Sequence, residues 1–324
     1  MGNPPSAEAR VLVVGDANPD LVLRGDVVPR FGQVEQVLET ADLVIGGSAA
    51  ITAHGLARLG RPVSLVAAVG ADVLGATQRD LLSTAGVDTG RLIERAEAPT
   101  GVTVVLSRGG DRAILTFPGA IPTLTADEVS AAIAAVADLR HVHVASLYLH
   151  PALIDTLAPV LAEVRATGRT VSLDTNDDPS GKWGGVAALL PSVDVLLPNA
   201  REAIALAGAR DGADAGDAVD AARRLAGRGP IVVVKLGAEG AVAVEPDGTI
   251  ITAPGIAAQV VDTTGAGDTF DAAFLDSWLD GADLASCLSR AVLAGARAVG
   301  AAGGTAGQPT ASELDASITT ERSK

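Results

Sequence analysis

Short apolar runs alternate with stretches of helical periodicity along almost the whole chain, and that alternation admits few architectures. Strands are expected at Val11–Gly15, Pro62–Val69, His141–Ala145, Thr170–Asp174, Val193–Pro198 and Ile231–Leu236. Helices are expected at Ser48–Leu59, Leu74–Ala85, Asp127–Val136, Pro151–Ala166, Ala200–Ala207, Asp217–Ala226, Asp268–Leu279 and Leu284–Val299. Ile231-Val-Val-Val234 is apolar at every position, which suits a strand covered on both faces of a parallel sheet. The expected fold is α/β: a three-layer α/β/α sandwich around a mostly parallel sheet, as a single domain over residues 1–324.

Two stretches depart from the alternation. Residues 21–44 carry β-like segments without helical period, and residues 101–118 hold a hairpin signal around Arg108-Gly109-Gly110-Asp111. Together they predict a small antiparallel sheet built from two separate insertions. A later hairpin about Pro246-Asp247-Gly248 belongs at the edge of the main sheet. Residues 1–9 and the last ten or so read as frayed tails.

A net charge of −15 argues against nucleic acid as a partner, because phosphate backbones need clustered Lys and Arg. Aromatic content of 2% removes base-stacking platforms. No apolar run reaches the roughly 20 residues of a membrane helix, and the N-terminus has no h-region. The single Cys287 excludes an intramolecular disulfide framework. A cytoplasmic setting is expected.

Residues 262–270, Asp-Thr-Thr-Gly-Ala-Gly-Asp-Thr-Phe, carry the most chemistry. A short strand, Gln259–Val261, is expected to enter a turn with two glycines, followed at once by a helix. Glycine backbone approaches an anion closely, and N–H groups at a helix start point outward to receive one. An aspartate among those donors reads as a base beside an anion hole, or as a plain N-cap at a tight corner. There is no G-x-x-x-x-G-K-[ST], and Phe270 stands where a dinucleotide fingerprint needs its third glycine.

Other polar groups fall at the ends of expected strands, where open α/β sheets bind ligands. Asn18 and Asp20 offer hydrogen bonds to a polyol, or form an Asx turn. Gly46 and Gly47 open a helix and let backbone approach a ligand. Asn199 and Glu202 share a helix face as hard oxygen ligands for Mg²⁺, and fit a capping box equally well. Of the carboxylates in Asp174–Asp178, most are expected in a solvated loop. Val234–Gly240 ends a buried strand in a Gly-bracketed loop suited to nucleotide. Phe270, Phe274 and Trp278 form a helical core stripe, and His54 is structural.

Taken in order, these segments resemble the ribokinase-like (PfkB) family of carbohydrate kinases over Val11–Pro309. Residues 262–270 match its C-terminal signature, Gly46–Gly60 its N-terminal one, and Asn199-Ala-Arg-Glu202 its Asn-x-x-Glu metal motif. The resemblance implies ATP and Mg²⁺ as cofactors and Asp268 as the base that deprotonates the acceptor hydroxyl. Gly265, Ala266 and Gly267 would supply N–H groups to the γ-phosphoryl, and Asn199 and Glu202 would hold Mg²⁺ through water. Asn18, Asp20, Gly47, Ser48 and Ile51 would line the sugar site; Lys235, Gly237, Gly240 and Thr264 would meet nucleotide. Asp262 and Thr264 match part of a site for a monovalent cation such as K⁺. The two insertions would be a lid through which relatives dimerise, so a homodimer is expected. Ile51 stands where sugar-specific relatives carry Asn, implying a less polar or differently oriented acceptor. Asp268, near helix N–H groups, is expected to have a low pKa. The function implied is ATP-dependent phosphorylation of a hydroxyl on a small sugar. A nucleoside kinase or a non-catalytic sugar-binding regulator are the alternatives.

Overall fold

The computed structural model describes residues 10–108, 111–208 and 218–321. The expected frayed N-terminus, the Gly109-Gly110 hairpin tip and the first residue of the helix expected at 217–226 lie outside them.

The main sheet has nine strands. In chain order they are β1 (Arg10–Val14), β4 (Val63–Gly70), β5 (Asp88–Arg95), β8 (Leu139–Val144), β9 (Thr170–Leu173), β10 (Val195–Leu196), β11 (Ile231–Lys235), β12 (Gly240–Val244) and β13 (Ile250–Pro254). Their spatial order is β13-β12-β11-β10-β9-β8-β1-β4-β5, parallel from β11 to β5 and antiparallel at the β11-β12-β13 edge. Alternate residues of one strand feed opposite cores. Val11 and Val13 join one buried cluster with α1 (Ser48–Arg58), α2 (Val73–Thr84), α7 (Ala266–Leu279) and α8 (Leu284–Ala298). Leu12 and Val14 join the other with α3 (Ala126–Ala135), α4 (Pro151–Ala166), α5 (Ala200–Leu206) and α6 (Ala218–Ala226). Both faces are covered, as the continuous apolar strands require.

The second sheet is the expected lid. Strands β2 (Pro19–Gly25) and β3 (Leu38–Ile45) form one antiparallel hairpin, and β6 (Val102–Arg108) and β7 (Asp111–Phe117) another. The two hairpins meet along a parallel seam between β2 and β6. Among the described residues, no helix is long and apolar enough to cross a membrane.

Three local expectations are corrected. Gln259–Val261 is irregular, not a strand; Val260 is half-exposed because it lines a cavity rather than a core. Strand β5 was not expected, because Asp88-Thr-Gly-Arg-Leu-Ile-Glu-Arg95 buries only Leu92; it is a charged sheet edge, a composition that deters further pairing. The C-terminal stretch is not frayed through 311–321 but forms α9 (Ala311–Glu321), seated by the fully buried Leu314. Thr310 and Glu313 cap it reciprocally, with Thr310 N–H donating to Glu313 at 2.7 Å.

Candidate active site at the sheet's C-terminal edge

The site forms where β1, β9, β10 and β11 end and α1, α5 and α7 begin. Gly265 takes a left-handed conformation (φ 69°) and so turns the chain directly into α7. A Cβ there would lie 2.4 Å from the Gly304 carbonyl oxygen, so only glycine fits. The helix starts two residues earlier than expected. Asp268 is therefore the third helical residue, and Ala266 and Gly267 present N–H groups that have no acceptor one turn back. The Ala266 N–H leans weakly on Thr263 O at 3.4 Å.

Asp268 differs from expectation in its titration. Its carboxylate accepts a short hydrogen bond from Ser48 Oγ rather than from helix N–H groups. Burial, with Asp174 and Asp16 nearby, pushes it up to about 7, against the opposing pull of Ser48 and Lys235. Desolvation outweighs the helix end.

Behind Asp268 lies a buried ionic cluster. Lys235 Nζ sits 2.7 Å from Asp174 and 3.0 Å from Asp271, one turn along α7 from Asp268. Burial drives Asp271 well above the ordinary carboxylate range, with Lys235 opposing the shift and Asp174 adding to it. Burial acts on Asp174 as well, but Lys235 and the Asp271 hydrogen bond hold it below that range. Carboxylate oxygens of Asp174, Asp268 and Asp271 lie within 4.8 Å of one another, a spacing that suits a metal. The ammonium already pairs with two of the three, Asp174 and Asp271, so we assign Lys235 as the cluster's internal cation. Asp174 is thus no solvated-loop residue: it is 1% exposed. Asp177, by contrast, is exposed and paired with Arg201.

On the Ser48 side of Asp268, Asp16 follows β1 by two residues and caps α1, accepting from Ala49 N–H at 3.0 Å where Gly47 has no side chain to do so. Asn18 Nδ2 donates to Asp20 (3.2 Å) and to Thr103 on lid strand β6 (3.0 Å). Burial, then the charges of Asp16 and Asp268, raise Asp20 well above its usual range. Gly46 packs so close that a Cβ would meet Asp20 Oδ1 at 1.8 Å. Ser48, Asn18, Asp20 and Gly47 are therefore brought together around Asp268.

Ile51 is not. It is 3% exposed and packs on Gly304, next to the Gly265 turn.

A cavity of about 730 Å³ adjoins the α7 N-terminus, lined by Gly237, Gly240, Ala266, Gly267 and Phe270 among others. Lys235 borders it with its ammonium turned to the acids. Thr264 does not line it: its hydroxyl donates to Asp262 at 2.7 Å, and Thr263 takes the lining position. Asn199 and Glu202 form the capping box, with Asn199 N–H to Glu202 at 2.9 Å and Glu202 N–H to Asn199 at 3.0 Å. Asn199 also pairs with Lys235 as an isolated parallel bridge. Burial and then Asp174 push Glu202 up to about 7.

Sequence reasoning missed Asp16, Asp271, Thr103 and the lid arginines Arg24 and Arg112. Asp271 lies one turn from Asp268, and that spacing on one helix face was the signal that pointed to it. Arg112 reaches Thr263 Oγ1, and Arg24 lies 3.7 Å from Asp262.

A family model described as pfkB family carbohydrate kinase matches residues 8–311. The chain is 33% identical over 309 residues to an ATP-dependent ribose-1-phosphate kinase of Halopiger xanaduensis, covering 95% of this chain and 97% of that one. An Arabidopsis thaliana ribokinase solved with ribose and ATP superposes with a TM-score of 0.81 at 27% identity, over 95% of this chain and 98% of that one. An E. coli structure holding ATP and Mg²⁺ gives a TM-score of 0.83 at 23% identity, over 96% and 99%, and shares the fold.

Proposed function

The chain belongs to the pfkB family of carbohydrate kinases, and from that membership we propose that it transfers the γ-phosphoryl of ATP to a hydroxyl of a small sugar with Asp268 as general base. The observation that carries this is Asp268 itself: a carboxylate held by Ser48 at the start of α7, beside free helix N–H groups, with a pKa near 7. A base works best when its pKa is near the working pH. The acceptor hydroxyl gives its proton to Asp268 as its oxygen bonds to phosphorus and ADP departs. The N–H groups of Gly265, Ala266 and Gly267 meet the charge on the transferring oxygens, where fixed dipoles contribute most.

Asn18 and Asp20 orient the acceptor, Asn18 through its amide and the buried Asp20 through its carboxyl oxygens. The cavity beside Gly237 and Gly240 suits the nucleoside of ATP. Glu202 fits a divalent cation: it is a buried carboxyl whose neighbour Asp174 is also acidic, so a bound Mg²⁺ would add to the positive charge that Lys235 and Arg201 already supply. Asn199 and Glu202 would hold it through water, leaving their capping hydrogen bonds in place. That chemistry is charge neutralisation on the phosphates. Leu43, Leu115 and Phe117 leave apolar surface exposed on the lid, which supports a second copy docking there. A panel of sugars and nucleosides, scored by phosphorylated product, tests the reading. ADP release without a phosphorylated acceptor anywhere in the panel refutes it.

A further inference from the structure

Asp262 opens the 262–270 segment as a buried carboxylate, and family resemblance pairs it with Thr264 as part of a monovalent-cation site. Its surroundings do not fit that use. Oδ1 accepts from Thr264 N–H (2.9 Å) and Thr264 Oγ1 (2.7 Å), and Oδ2 accepts from Gly303 N–H (2.9 Å). These neighbours are donors, whereas an alkali cation needs oxygen lone pairs. Positive charge reaches it from two lid arginines, Arg112 acting from beside Thr263 and Arg24 forming the ion pair. Arg24 Nη2, on lid strand β2, lies 3.7 Å from Asp262 Oδ2 and is buried, with no hydrogen-bond partner among the described residues. At that distance a guanidinium and a carboxylate still attract strongly in a partly dry setting.

The same loop is tied to the lid elsewhere. Arg112 on β7 reaches Thr263 Oγ1. Val44 on β3 lies where a Cβ on Gly303 would meet it at 3.3 Å, and Gly304 abuts Gly265. The lid thus touches both segments that hold the anion hole in shape.

We propose that Arg24 is the built-in counter-ion of the anion-hole loop, so that phosphoryl transfer here needs no K⁺ and the hole is completed by lid closure. This rests on the kinase reading above. A bound ion would stay when the lid opens; Arg24 leaves with it. Asp262 then lacks its counter-charge, and the 262–265 and 303–304 loops lose one of their ties. Readiness for transfer is coupled to coverage of the acceptor.

The test compares wild type, Arg24→Gln and Arg24→Lys in KCl, NaCl and tetramethylammonium chloride at equal ionic strength. Two quantities are read: phosphotransfer to the best acceptor, and calorimetric affinity for a non-hydrolysable ATP analogue. Wild type should give rates and affinities within about twofold across the three salts. Arg24→Gln should lose about tenfold or more in rate and regain part of it in KCl alone, while Arg24→Lys keeps the salt-independent behaviour. A wild type activated tenfold by K⁺ overturns the proposal, as does an Arg24→Gln enzyme matching wild type in every salt. If no acceptor is phosphorylated in any salt, the kinase reading fails instead, and the analogue affinities still decide the role of Arg24.

Discussion

Replacing Asp268 with Asn should abolish transfer and, at alkaline pH, make the protein more stable. The carboxyl is held near 7 in the fold against an ordinary 3.8, so the folded state binds its proton more tightly than the unfolded chain does. Below about pH 4 both states carry the proton and no penalty exists. Between 4 and 7 the unfolded chain ionises while the folded one does not, so stability falls as pH rises. Above 7 the folded state holds a buried charge. At about 1.4 kcal/mol per pH unit, the full penalty is roughly 4 kcal/mol. Asn remains neutral throughout and its carbonyl still accepts from Ser48 Oγ, so the substitution removes the penalty and keeps the contact.

For a chain of this length, about 2 cal/mol/K per residue of unfolding entropy converts roughly 4 kcal/mol into a Tm gain of about 6 °C. Scanning calorimetry of both proteins at pH 4.5 and 8.5 measures it: near-equal Tm at the lower pH, and the gain at the higher. Transfer by wild type should rise through about pH 7 and level off, while the variant falls by about three orders of magnitude. A variant no more stable than wild type at pH 8.5, or one equally stabilised at both pH values, would refute the reasoning about burial. Near-normal turnover would refute the base.

Lys235→Met leaves the charge on Asp174 buried without its partner and should destabilise by about 3–5 kcal/mol in urea titration; adding Asp174→Asn should recover part of that loss. Gly46→Ala drives a methyl group into the Asp20 carboxyl, so KM for the acceptor should rise by about tenfold or more with KM for ATP nearly unchanged. Replacing Asn199 and Glu202 together with Ala should move the Mg²⁺ dependence of rate to higher concentration. An unaltered dependence would leave them as a cap, worth about 1 kcal/mol of stability.

Alternation of strand and helix made the three-layer fold legible, because that period is local. So were Gly265–Asp268, Asn18, Asp20 and the Asn199–Glu202 pair, each written within a few residues of chain. What stayed hidden depends on approach between distant segments. Asp16 matters because it caps a helix thirty-odd residues on, and Arg24 because the lid lays it beside Asp262. Asp268 was expected to be acidic from its place on the helix. Burial among Ser48, Asp174 and Asp16, which no local pattern encodes, reverses the sign. Ile51 was placed in the sugar site by its position along the chain, whereas its packing on Gly304 depends on a segment about 250 residues away. The cap at Thr310–Glu313 was in plain view and would have announced α9.

The lid strand β2 carries Asp20 near one end and Arg24 near the other, and β6 carries the Thr103 that holds Asn18. On the proposed reading, cover, acceptor grip and anion-hole counter-charge would all ride on one small sheet. A change that loosens the lid to admit a bulkier acceptor also loosens the hold on that acceptor and the poise of the phosphoryl site. For this scaffold, access, affinity and rate are a single adjustable quantity. New specificity has to come from side chains within the closed lid rather than from a wider opening.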